Sequence, residues 1–67
     1  MTDTRQAAEN ALALLRQFTS PQGFDHVGFL TEMEARAAVV GRKLTKRDRR
    51  TLAQMVSAYC ARNGVVN

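Results

Sequence analysis

Apolar positions recur at three- and four-residue spacings in three stretches of this 67-residue chain, and turn formers separate the stretches. From Thr4 to Phe18, the residues Ala8, Ala11, Leu12, Leu15 and Phe18 fall on one stripe of a 3.6-residue period, with Ala7 and Leu14 widening its flank. The spacing predicts an amphipathic helix over about 4–18. Asp3 followed by Gln6 has the form of a capping box, in which two side chains satisfy amide donors left open at a helix start. Thr19, Ser20, Pro21, Gln22 and Gly23 then gather turn formers, and Pro21 disfavours helical geometry at Ser20. The first helix is expected to end there, with a loop over about 19–25.

The second helix has two competing start signals. Asp25 can cap a helix beginning at His26, whereas Thr31 followed by Glu34 forms a cleaner capping box, and Gly28 weakens the early start by about 1 kcal/mol relative to Ala. The stripe Leu30, Met33, Ala37 and Val40 continues back to Val27 and Phe29, which favours the early start and a helix over about 26–40. Gly41 stands where a left-handed residue closes a helix. The third helix is bounded by Thr45 as N-cap, with Asp48 three residues on, and by Asn63 and Gly64 at its end. Leu52, Met55, Val56 and Tyr59 share one face of this predicted helix over 46–63. Val65, just past the Gly64 stop, is placed for an apolar contact back to Cys60.

These patterns define an all-α fold: one domain over residues 1–67, built as a small three-helix bundle. Its core is thin. A chain of this length buries only about 60% of the surface its unfolded form exposes, ten of its apolar residues are Ala, and it has no Trp. Small domains usually add a disulfide, a metal or a second subunit. The single Cys60 excludes an internal disulfide framework, and His26 and Cys60 each lack a second ligand nearby in sequence, so no metal is expected. Homodimerisation is the stabilising device left, and the bundle is expected to be completed that way.

Charge changes the picture more than composition does. Six of the ten Lys and Arg residues, Arg42, Lys43, Lys46, Arg47, Arg49 and Arg50, fall in nine consecutive positions. With Asp48 that stretch carries +5, and the rest of the chain sums to −1. On a helical wheel Lys46, Arg47 and Arg50 lie opposite the apolar stripe with Arg49 at its edge, so the cations face outward. Cations in the first turn oppose the helix dipole, each at a cost of about 0.3 to 1 kcal/mol where screening is weak. Such an arrangement points to a partner, although solvation or pairing with Asp25, Glu32 and Glu34 would also account for it.

Catalytic chemistry is not expected. Cys60 and His26 are not placed together as nucleophile and base, Glu32 and Glu34 point to different sides of a helix, and the four glycines form no phosphate-binding loop. No cofactor and no small-molecule substrate are implied. No apolar run approaches the roughly 20 residues that span a bilayer, and the amino terminus has no signal-peptide pattern. The expected location is therefore cytoplasmic, in keeping with one free cysteine.

Two partner classes remain. A basic rim beside an apolar surface suits a protein partner, with Arg42, Lys43, Lys46, Arg47, Arg49 and Arg50 meeting an acidic face. Phe24, Phe29 and Tyr59 stand beside apolar neighbours, which favours ordinary core packing for each, and they are the residues that would anchor a dimer or partner contact if left exposed. The expectation is a non-enzymatic regulator that binds and modulates another protein. The alternative is a DNA- or RNA-binding regulator that places the same cations on phosphates. A standard helix-turn-helix is disfavoured, because aligning Gly41 with the turn glycine puts Arg47 and Arg50 where the second helix should bury aliphatics. Only Gln54 is available on that face for adenine readout, and no aromatic is interleaved with the charges to stack on bases.

Overall fold

A computed structural model of the chain describes residues 4–67. The chain forms three helices, α1 (Thr4–Gln17), α2 (His26–Val39) and α3 (Lys46–Asn63), with a two-stranded antiparallel hairpin, β1 (Thr19–Ser20) and β2 (Gly23–Phe24), between the first two. The expected capping pair at the start of α1 involves Asp3 and lies outside the described residues.

The hairpin departs from the simple loop expected between the first two helices. Pro21 and Gln22 form its turn, Ser20 Oγ accepts from the Gln22 amide at 3.3 Å, and the same hydroxyl donates to the Gly23 carbonyl at 3.1 Å. That turn sets Ser20 opposite Gly23 and Thr19 opposite Phe24. The carboxyl-terminal tail then lies against the hairpin, where the Phe24 amide donates to the Val66 carbonyl at 3.0 Å. Gly23 permits this approach: its φ is +136°, and a Cβ there would stand 2.9 Å from the Val66 oxygen.

Helix α2 starts at the early position. The Asp25 carboxylate accepts from the Gly28 amide at 3.0 Å, while the Asp25 amide donates to the Phe18 carbonyl at 2.8 Å and ties the cap to the end of α1. The helix stops in a Schellman turn. Gly41 has φ +75°, its amide donates to the Ala38 carbonyl, and the Arg42 amide reaches the Ala37 carbonyl at 2.8 Å. At the end of α3, Gly64 is left-handed and the Val65 amide donates to the Cys60 carbonyl at 3.0 Å. Val65 packs against the core cluster that contains Cys60.

That core consists of Leu15, Phe24, Phe29, Val56 and Cys60, flanked by half-buried Leu14, Phe18, Met33, Leu52, Met55, Tyr59 and Val65. Phe29 is its hub, meeting Phe18 at 5.9 Å and Phe24 at 5.4 Å in edge-on contacts. The bundle is thin, with extents of 33 × 27 × 18 Å and a radius of gyration of 12.4 Å, against about 11 Å for a compact domain of this length.

Candidate functional site

The site is built where α2 hands the chain to α3. Thr45 caps α3: its hydroxyl accepts from the Asp48 amide at 3.1 Å, and the Asp48 carboxylate accepts from the Thr45 amide at 3.0 Å. This reciprocal box supplies acceptors for amides at the helix start despite the cations crowded around it. The Thr45 amide, then the Thr45 hydroxyl, and then the nearby Arg42 and Arg47 hold the Asp48 carboxyl below the usual carboxylate range. Asp48 is thus spent on structure.

All six cations singled out in the sequence lie together and are exposed, Arg42 and Lys43 on the connecting loop and Lys46, Arg47, Arg49 and Arg50 in the first turns of α3. One of them is engaged internally. Arg49 Nη2 donates to Glu34 Oε2 at 2.9 Å, joining α3 to α2. Glu32 is paired instead with Arg36 on its own helix. Among the described residues, Arg42, Lys43, Lys46, Arg47 and Arg50 form no ion pair within 4.0 Å.

Beside this cationic edge runs an open groove of about 270 Å³ between α2 and α3. Met33, Ala37, Val40, Leu44 and Leu52 supply its apolar surface, and Arg42, Lys43, Asp48 and Thr51 its polar margin. Val39 and Val40, at the end of α2, remain 86% and 69% exposed. Such valines in water beside a groove form an apolar step next to charge, the juxtaposition found in protein interfaces with a polar rim.

The aromatic residues divide between the core and its margin. Phe24 and Phe29 are 8% and 2% exposed and belong to the core, because the hairpin folds Phe24 inward onto the hub ring. They present no anchor on the surface of the single chain. Tyr59 stands apart, half-buried at the margin of the core and 6.4 Å from the Phe24 ring. Its hydroxyl lies 3.5 Å from Thr19 Oγ1, whose own hydrogen is directed to the Leu15 carbonyl at 2.9 Å.

Leu44 was not conspicuous in the sequence, yet it lines the groove between two cations and the helix cap. Its signal was positional: an apolar residue immediately before an N-cap tends to pack back and set the chain's entry angle. Cys60 is buried in the core, and His26 is exposed with its ring 5.1 Å from that of Phe24. Among the described residues no cluster of three His, Cys, Asp or Glu forms a metal site, and no helix is long and apolar enough to cross a membrane.

Comparison of the chain with protein-family models, with characterised proteins and with solved structures finds no match. The site is therefore read from its own chemistry.

Proposed function

We propose that this chain is a non-enzymatic modulator that binds another protein, receiving an acidic amphipathic segment along the edge between α2 and α3. The observation that carries this reading is the union of two surfaces: Arg42 and Lys43 belong to the cationic edge and also line the apolar groove. A segment bearing apolar side chains on one face and carboxylates beside them would bury the first against Met33, Val40, Leu44 and Leu52. It would set the second against Arg42, Lys43, Lys46, Arg47 and Arg50. The apolar contact supplies affinity, while the charges speed encounter and fix orientation. A phosphate backbone would use the cations but would leave Val39 and Val40 in water, so a nucleic-acid partner is the second choice.

The proposal also takes the working form to be a homodimer, for which a thin core and an extended shape are the support.

Two measurements test the docking. Capture from nuclease-treated extract of the native cells, followed by identification and recombinant expression of the captured protein, should give a partner whose direct binding weakens at least about tenfold with Lys46→Glu/Arg50→Glu. Fluorescence anisotropy with random duplex DNA should show no binding tighter than about 100 μM at roughly 0.15 M salt. Capture that disappears on nuclease treatment, or micromolar DNA binding falling steeply with salt, overturns the protein reading in favour of phosphate contact.

A further inference from the structure

A second hollow, of about 260 Å³, shares Arg42, Lys43 and Leu44 with the groove and is completed by Glu34, Ala38 and Arg49. Its lining sets three cations against one carboxylate, which leaves it a formal +2. We propose that this hollow binds a phosphate monoester dianion, the phosphoryl group replacing the Glu34 carboxylate on Arg49 and lying against Arg42 and Lys43. The site goes beyond the docking of an acidic segment and does not rest on it.

Charge selects the ligand directly. A phosphate monoester carries about −1.5 to −2 at neutral pH and so matches the hollow, whereas a carboxylate or a phosphodiester brings a single charge and leaves it half neutralised. Two arginines offer donor forks shaped for phosphate oxygens, and Lys43 adds a point charge. An apolar occupant finds little to cover. Ala38 and Leu44 are the apolar members of this lining, while the neighbouring groove has Met33, Ala37, Val40, Leu44 and Leu52.

The backbone is prepared for an anion as well. Helix α2 ends beside the hollow, and open carbonyls at a helix end repel negative charge. Here the closing turn engages them: the Ala37 carbonyl accepts from the Val40 and Arg42 amides, and the Ala38 carbonyl from the Gly41 amide.

Glu34 marks where a ligand oxygen would sit. Its Oε2 lies 2.9 Å from Arg49 Nη2, and both side chains are about half exposed, so the pair is weak and exchanges readily for an incoming anion. Asp48, the other carboxylate near Arg42, is held in the Thr45 cap and does not line the hollow.

Nitrogen-15 shift titrations of the full chain, at about pH 8 and roughly 0.15 M salt, test the site with three probes: inorganic phosphate, a neutral peptide bearing one phosphoserine, and dimethyl phosphate. Phosphate or the phosphopeptide should saturate with a dissociation constant of about 1 mM or tighter, and the tighter of the two tells a free phosphoryl group from a protein-borne one. Dimethyl phosphate, with one charge, should bind at least about tenfold more weakly. Arg42→Gln/Lys43→Gln should weaken binding about tenfold, and Glu34→Gln should strengthen it about two- to fivefold. Lys46→Gln/Arg50→Gln, outside the hollow, should change it less than about twofold. Each variant is expected to keep the wild-type circular dichroism spectrum, because these side chains are exposed. Failure of both phosphate and the phosphopeptide to saturate by about 10 mM overturns the site. So does dimethyl phosphate binding as tightly as either, an equal loss for Lys46→Gln/Arg50→Gln and Arg42→Gln/Lys43→Gln, or no gain for Glu34→Gln; any of these leaves only a diffuse cationic surface.

Discussion

Arg49 reaches across from α3 to Glu34 on α2, with Nη2 and Oε2 2.9 Å apart. This contact separates one cation of the basic cluster from the other five. Both side chains are about half exposed, so the pair contributes less than about 1 kcal/mol. Arg49→Gln is expected to lower the thermal midpoint by no more than a few degrees, an effect that fades in high salt. It should also weaken partner binding less than a change at Lys46 or Arg50. Melting curves at low and high salt, with binding measured alongside, check both halves of that expectation.

Thr45 is the residue on which the geometry of the cationic helix depends. Thr45→Ala removes the acceptor for the Asp48 amide and should destabilise the fold by about 1 kcal/mol, or a fall of roughly 4 to 8 °C in midpoint for a domain of this size. Thr45→Ser keeps the acceptor and should remain within about 0.5 kcal/mol of the wild type. Thermal unfolding followed at 222 nm distinguishes the two; equal losses would show that the methyl group, and not the cap, matters.

Asp48 makes the same cap sensitive to acid. Its carboxyl is held below the usual range in the folded chain, while in the unfolded chain it titrates near about 3.9. The contribution is therefore complete above the unfolded value and is lost as pH falls from about 4 through the lower folded value. Denaturant midpoints measured from neutral pH to strong acid should show a gap between wild type and Asp48→Ala that closes over that interval. A gap that is constant down to strong acid would remove the carboxylate from the account of the cap.

Gly28 offers a change of sign. Helix propensity alone makes Ala the better residue in a helix by about 1 kcal/mol. Here an added Cβ would run into the Asp25 carboxylate and stand 3.1 Å from the Phe18 ring. Gly28→Ala must then displace the cap of α2, offsetting the propensity gain, and push Phe18 away from Phe29. Lower stability is expected, and a rise in the thermal midpoint would show that the cap relaxes freely.

The parts of this fold that could be read from sequence are those fixed by neighbours in the chain. Thr45, Asp48 and Gly64 bound α3 within a few residues of the groups they cap, and its extent matches the expectation. The start of α2 had two competing local signals, the cleaner capping box at Thr31 and the Asp25 cap backed by the apolar stripe; the bond from the Asp25 amide to Phe18 across the hairpin and the burial of Phe29 go with the early start. The hairpin was hidden because two residues per strand leave no period to detect. Its closure on Val66 joins positions more than forty residues apart. The cationic cluster was legible as composition, but the groove beside it depends on how Met33 and Val40 of α2 meet Leu52 of α3. Core packing was the reading the neighbours of Phe24 and Phe29 favoured, but that the two rings meet each other depends on the hairpin, which has no local signal.

The central claim is that the cations and the apolar groove form one docking site. Its most direct measurement is the dissociation constant, by titration calorimetry, of the isolated partner protein for Val40→Asn, a change that removes apolar surface and leaves the charge as it was. Binding should weaken about tenfold, the effect of losing a buried valine side chain, with the fold intact. Affinity equal to the wild type for Val40→Asn, together with lost binding for Lys46→Glu/Arg50→Glu, would contradict a joined site and leave a purely electrostatic one.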